Sequence, residues 1–122
     1  MIDHITLLVS NYEASKAFYL GALAPLGYTL VLEFEGRAGG FGVGGKPDLW
    51  IRQVDEPFAP THLAFHSADR KSVDAFHAAA LEAGGKDNGG PGLRVHYHPN
   101  YYGAFVFDPD GYNIEAVCHT PE

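Results

Sequence analysis

Apolar and polar side chains alternate with a period of two in residues 4–9, near the start of the chain. This pattern is typical of a strand with two different faces. Apolar residues then recur at helical spacing, in a helix that is predicted to begin near Asn11, whose side chain can cap it, and to end at Pro25 and Gly27. Three short runs rich in β-branched and aromatic residues follow, and they predict the strands Tyr28–Glu35, Phe41–Val43 and Leu49–Val54.

The second half of the chain repeats this order of patterns. Residues 62–66 alternate like residues 4–9, Asp69 can cap a second helix, and Gly84 and Gly85 end it. The strands predicted after this helix are Leu93–His98, Tyr102–Phe107 and Asn113–Cys118. Turns between the strands of the two halves are predicted at Gly39–Gly40, Gly44–Pro47 and Asp108–Gly111.

The two halves are also similar in sequence, since an ungapped offset of 58 residues places His62 on His4. Each half reads β-α-β-β-β, and we expect a single α+β domain over residues 1–122, built from two tandem modules. The modules would span residues 1–56 and 60–119. Because each helix would cover one side of a curved, partly open mixed sheet, the other side is predicted to form a cavity.

Composition and charge restrict the class of partner. The 122 residues carry 8 Lys and Arg against 15 Asp and Glu, and the formal net charge is −7. No basic cluster is present, so we expect neither a nucleic-acid partner nor a membrane partner. The single cysteine, Cys118, predicts no intrachain disulfide. The segment Met1–His4 lacks the pattern of a signal peptide, and we expect a cytoplasmic protein.

Histidine is the residue type that points to chemistry, because six of the seven histidines lie in the second half. Strand parity places His4, His62 and Glu115 on the faces opposite the helices, where three strands could bring them into one cavity. Two imidazoles and a carboxylate suit a divalent metal ion and leave positions open for substrate. Taken singly, these residues are more simply explained as ordinary strand histidines and a solvated or paired carboxylate.

Three motifs carry a resemblance to a known group of proteins: His4 in Asp3–Ile5, His62 in Thr61–Phe65, and the run Asp108–Glu115 that reads DPDGYNIE. They resemble the vicinal oxygen chelate superfamily, which includes glyoxalase I, fosfomycin-resistance proteins, bleomycin-resistance proteins and extradiol dioxygenases. The resemblance covers nearly the whole chain. It implies a cup of paired βαβββ modules that holds a divalent Zn, Ni, Mn or Fe ion on His4, His62 and Glu115.

The resemblance also implies a range of reactions on a small substrate that chelates the metal through neighbouring oxygens. Trp50 stands where glyoxalase I has a glutamate as a fourth ligand, and Trp50 with Thr6 is closer to the fosfomycin-resistance pattern. No Lys or Arg follows Glu115 to bind a phosphonate, in contrast to that family. We expect a lyase or an isomerase. The alternatives are an extradiol-type dioxygenase and a non-catalytic, bleomycin-resistance-like binding protein.

The remaining candidates surround the predicted cavity. Tyr101 could donate a hydrogen bond to a bound oxyanion and His98 could act as acid or base, although packing would also explain them. Arg52 could bind a substrate carboxylate or be merely solvated. The candidate substrate-binding residues are Thr6, Trp50, Arg52, His66 and Phe105. A homodimer is expected because a domain this small has a thin core, and each cavity could lie within one chain or across the dimer.

Overall fold

Two open mixed sheets and two helices make up the fold in the computed structural model, which describes residues 1–122. The first half contains β1 (Ile5–Val9), α1 (Tyr12–Leu23), a turn of 3-10 helix (Ala24–Leu26), β2 (Thr29–Phe34), β3 (Ala38–Val43) and β4 (Lys46–Gln53). These strands form sheet 1 in the order β1-β4-β3-β2, with β1 parallel to β4.

The second half follows the same plan with shorter middle strands. It contains β5 (His62–His66), α2 (Arg70–Glu82), β6 (Lys86–Asp87), β7 (Gly92–Leu93), β8 (Tyr102–Phe107) and β9 (Asn113–Cys118). Sheet 2 has the order β5-β9-β8-β6, with β7 also paired to β8 and β5 parallel to β9. The predicted α+β class with open mixed sheets is confirmed.

The helices cover one face of each sheet and leave the other face free of helices. Helix α1 packs on sheet 1, α2 packs on sheet 2, and the two helices contact each other. In β1 the side chains of Leu7 and Val9 are buried in the core while Thr6 is exposed, as the alternating pattern predicts. Neither helix has the length and apolar character needed to cross a membrane.

A buried carboxylate joins the two halves. Asp108, at the turn between β8 and β9, accepts a hydrogen bond from the Tyr19 hydroxyl of α1 at 2.6 Å. Its other oxygen accepts from the backbone N–H groups of Asp110 and Tyr112, both at 2.9 Å. The Tyr112 hydroxyl in turn donates to the Leu8 carbonyl of β1 at 2.8 Å. Burial raises the pKa of Asp108, and the hydrogen bonds it accepts oppose that change.

The predicted turn at Gly39–Gly40 is wrong, because both glycines lie within β3. Their place in the strand is explained by side chains that cross it. A Cβ on Gly39 would lie 2.5 Å from the Tyr12 hydroxyl, and a Cβ on Gly40 would lie 2.8 Å from the Trp50 ring. Glycine therefore allows close packing here and does not form a turn. The sequence alone does not distinguish these two roles of a glycine pair.

The predicted strand Leu93–His98 is also wrong, since only Leu93 belongs to a strand and the following residues form a turn. The Arg94 guanidinium donates to the carbonyls of Gly90 and Gly92, at 2.8 and 2.9 Å. The Arg94 carbonyl accepts from the N–H of Tyr97 at 2.9 Å. These bonds hold the segment in a bend that an alternating polar pattern cannot reveal.

The predicted caps of both helices are confirmed, and the cap of α1 gives a direct test. Asn11 accepts a hydrogen bond from the Ala14 N–H at 3.1 Å. Asn11→Ala should lower the free energy of unfolding by about 1 kcal/mol, because an orphan N–H loses its acceptor. Urea unfolding measures the change. Asn11→Asp keeps the acceptor and should show no such loss, so equal losses in both variants would contradict a capping role.

Candidate metal-binding site

An imidazole and a buried carboxylate lie side by side on the helix-free face of sheet 2. Glu115, in the middle of β9, is only 1% exposed. The neighbouring strand β5 starts at His62, whose Nε2 lies 2.8 Å from Glu115 Oε1. The His62 side chain is about half exposed, so the pair opens to solvent on the histidine side. Strand parity predicts this juxtaposition.

The neighbouring strand β8 completes the surroundings of Glu115. The Tyr101 hydroxyl, one residue before β8, donates to Glu115 Oε2. Burial, with the hydrogen bond to Glu115, raises the pKa of Tyr101, so its hydroxyl keeps the proton it donates. Phe105 pairs with Glu115 across the strands, and its ring centroid lies 6.2 Å from that of His62. The predicted inward face of β8 therefore does surround this carboxylate.

His4 lies elsewhere in the chain, immediately before β1 of sheet 1. Its ring is exposed, and its Nδ1 is 2.7 Å from the Asp3 carboxylate. It borders a cavity of about 240 Å³ on sheet 1, and four other residues that line this cavity are Thr6, Phe34, Trp50 and Arg52. The Phe34 and Trp50 rings are stacked, with centroids 5.9 Å apart and planes at 16°. This cavity has one aromatic wall and one cationic residue.

Arg52 is the cation of that cavity, and it takes part in none of the six ion pairs of the chain. By contrast, Lys16 is paired with Glu33 and Lys46 with Asp3, at 2.8 and 3.2 Å. The Arg52 guanidinium therefore has no carboxylate partner within the chain.

The structure thus brings His62 and Glu115 together and leaves His4 apart from them. No group of three His, Cys, Asp or Glu side chains lies close enough within one chain to hold a metal ion. The donor chemistry of the His62 and Glu115 pair fits two ligands of a divalent metal, since imidazole nitrogen and carboxylate oxygen are adjacent and one imidazole edge faces solvent. A metal ion bound to this pair would need a third ligand from elsewhere.

Two other predicted residues, His98 and His66, make other contacts. The His98 Nδ1 accepts from the Asn100 N–H at 3.2 Å, and the His98 ring packs on His119 with centroids 5.6 Å apart. His66 borders a separate cavity of about 260 Å³ between the two halves of the chain. Neither His98 nor His66 makes a hydrogen bond or an ion pair with Glu115.

Sequence reasoning missed two residues of these surfaces. Phe34 ends β2, and its ring lies beside the Trp50 ring. Phe34 pairs with Ala38 of β3, which in turn pairs with Arg52 of β4, so the strand register could have predicted this position. His119 follows β9 and packs edge-on against Tyr101, with centroids 5.2 Å apart. Its position beyond the last strand carries no periodic signal, so only the folded chain reveals this contact.

Comparison with known proteins agrees with this fold. A model of the Glyoxalase/Bleomycin resistance protein/Dioxygenase superfamily matches residues 1–116. The chain is 33% identical over 138 aligned positions to the uncharacterized protein YqjT of Bacillus subtilis. The alignment covers 96% of this chain and 98% of YqjT. The chain therefore belongs to the glyoxalase/bleomycin resistance protein/dioxygenase superfamily, and the resemblance to vicinal oxygen chelate proteins is confirmed.

Solved structures give the same result for the fold. A glyoxalase/bleomycin resistance protein from Albidiferax ferrireducens superposes with a TM-score of 0.82 at 27% identity, over 98% of each chain. A lactoylglutathione lyase from Agrobacterium tumefaciens superposes with a TM-score of 0.70 at 20% identity, over 97% of this chain and 92% of that chain. The second likeness concerns the fold alone.

Proposed function

We propose that this protein is a metal-dependent enzyme that acts on a small substrate through two neighbouring oxygens of that substrate, with lyase or isomerase chemistry. The observation that carries the proposal is the buried Glu115 carboxylate paired with His62 at the helix-free face of sheet 2. A divalent ion held there would polarise a substrate oxygen and stabilise the negative charge that develops on it.

We further propose that the third ligand is His4 of a second copy of the chain, in a homodimer. Within one chain, the helix-free face of sheet 1 carries His4 and that of sheet 2 carries His62 and Glu115. Facing sheet 1 of one protomer with sheet 2 of the other would bring the three ligands together twice, once for each copy. A small domain also gains buried apolar surface from such a partner.

The residues of sheet 1 would then bind the substrate opposite the metal. Thr6 and Trp50 line the cavity beside His4, and the unpaired Arg52 guanidinium would bind an anionic oxygen of the substrate. From sheet 2, Phe105 would close the site beside His62. His98 and His66, which make no hydrogen bond with Glu115, would reach the substrate only at the edges of this site.

A non-catalytic binding protein is the second candidate, and one observation favours it. The Phe34 side chain is 56% exposed while its ring is stacked on Trp50, which presents an open aromatic surface next to Arg52. Such a surface suits a flat ligand held by stacking without chemistry. A binding protein of this kind would keep its ligand affinity after His62→Ala, whereas the enzyme would lose both metal and turnover.

Metal content tests the first candidate directly. We expect about one divalent ion per chain by elemental mass spectrometry, and loss of that ion in folded His4→Ala and Glu115→Ala variants, because three ligands hold it. Iron would favour dioxygenation, and Zn, Ni or Mn would favour lyase or isomerase chemistry.

A matched control comes from α2, where His77 Nε2 lies 2.9 Å from the Asp87 carboxylate on a surface away from Glu115. His77→Ala should keep the full metal content of the wild type. If the wild type holds no metal even after Zn²⁺, Ni²⁺, Mn²⁺ and Fe²⁺ are added in turn, the enzyme proposal is wrong and the binding protein is favoured.

A further inference from the structure

Both oxygens of the Glu115 carboxylate already have a partner in the folded chain. Oε1 lies 2.8 Å from His62 Nε2, and Oε2 accepts the hydrogen bond of the Tyr101 hydroxyl. A buried carboxylate needs such partners, because burial without them costs several kcal/mol of hydration. The two oxygens nevertheless have different surroundings. Oε1 faces the partly exposed imidazole of His62, and Oε2 faces the phenol of Tyr101.

The Tyr101 side chain is itself held in place from several sides. Its backbone N–H donates to the His98 carbonyl at 3.1 Å. Its ring packs edge-on against Tyr97 and against His119, with centroids 5.1 and 5.2 Å away. The hydroxyl therefore reaches Glu115 from a fixed position and not from a mobile loop tip.

Gly103 leaves the space in which Tyr101 and Glu115 meet. A Cβ on Gly103 would lie 3.2 Å from Glu115 Oε2 and 3.2 Å from Tyr101 Cε1. Its φ is not in the left-handed region, so backbone freedom does not explain the glycine. A side chain at this position would instead crowd both the phenol ring and the carboxylate.

The position of the Tyr101 hydroxyl differs from that expected of a tyrosine that donates a hydrogen bond to the substrate. The Tyr101 hydroxyl has one proton, and that proton is directed at Glu115 Oε2. A role as donor to a substrate oxyanion would require the proton to leave this acceptor. The contact with Glu115 is the one that the folded chain builds.

We propose that Tyr101 is a positioning residue, which holds Glu115 Oε2 so that Oε1 is presented beside His62 as a metal ligand. The inference rests on the proposed function, because it assumes that His62 and Glu115 bind the metal. Partners of this kind around metal ligands set ligand orientation, and their loss typically weakens metal binding by about 10–100-fold.

Tyr101→Phe tests the proposal, because it removes the hydroxyl and keeps the ring that packs on Tyr97 and His119. We expect Zn²⁺ affinity, measured by competition with a chromophoric chelator, to fall by about 10–100-fold. The visible absorption of the cobalt-substituted protein should also change. Gly103→Ala, which crowds Oε2, should change both readouts in the same direction.

Tyr102→Phe is the matched control. The Tyr102 hydroxyl also donates to a carboxylate, that of Asp74 on α2 at 2.6 Å, but away from Glu115. This variant should keep wild-type affinity and absorption. Wild-type affinity in Tyr101→Phe would overturn the positioning role and leave the proposed function standing. Absence of metal binding in the wild type would overturn both.

Discussion

Asp108→Ala is expected to lower the free energy of unfolding by about 3–5 kcal/mol, since each buried polar group left without a partner costs about 1–3 kcal/mol. The substitution removes the acceptor of the buried Tyr19 hydroxyl and of the N–H groups of Asp110 and Tyr112. Such a loss is a large part of the roughly 5–15 kcal/mol that stabilises a typical domain. Equilibrium unfolding in urea measures it.

Two comparisons separate this explanation from a general effect of the mutation. Asp108→Asn keeps an oxygen for the two backbone N–H groups and should be less destabilising than the alanine variant. Asp55→Ala removes a carboxylate that is 90% exposed and should leave stability unchanged. Equal losses in the alanine and asparagine variants would contradict the role assigned to the backbone N–H groups.

The pH dependence of stability follows from the same group. Because burial raises the pKa of Asp108 above its ordinary value of 3.8, the folded chain binds a proton that the unfolded chain has released. The contribution of Asp108 to stability therefore falls as pH rises from 3.8 through the raised pKa. Asp108→Asn should lack this decline, which unfolding curves of the two proteins over acidic pH would reveal.

Mixed dimers of two inactive variants are expected to recover metal binding. In a dimer with shared sites, a His4→Ala protomer supplies His62 and Glu115, and a Glu115→Ala protomer supplies an intact His4. One complete site then forms in every mixed dimer, while the other site lacks two ligands. Co-expression with two different tags isolates the mixed dimer, and elemental analysis with a turnover assay measures the recovery.

A different pair of variants gives the control. His62 and Glu115 come from the same sheet of the same chain. A mixed dimer of His62→Ala with Glu115→Ala therefore has one damaged ligand in each site and should recover nothing. Recovery in neither mixed dimer would show that the sites are not shared. Recovery only in the pair that includes His4→Ala would support the dimeric site.

The elements of the fold were predictable because their signals are local. The alternation in residues 4–9 and 62–66 and the caps at Asn11 and Asp69 all act within a few residues. The segment after Leu93 was not predictable in the same way. Its shape depends on backbone hydrogen bonds within the bend and on the Arg94 side chain, which turns back onto two carbonyls, and no periodic pattern records such contacts.

The candidate site was predictable in part. Strand parity placed Glu115 with His62, Tyr101 and Phe105, and the contacts agree with that placement. Parity states which side chains share the face of one sheet, but not how two sheets are arranged relative to each other. For that reason, the separation of His4 from Glu115 within the chain could not be deduced from the pattern.

Trp50 is the only tryptophan of the chain, and its ring forms the stacked wall beside Arg52 and His4. When the protein is excited at the long-wavelength edge of its ultraviolet absorption, the fluorescence therefore comes from Trp50 alone, and no other indole contributes to it. A ligand that stacks on Phe34 or displaces water there changes the polarity around the indole. The protein thus carries an intrinsic fluorescent reporter, with which candidate ligands can be screened before any reaction is known.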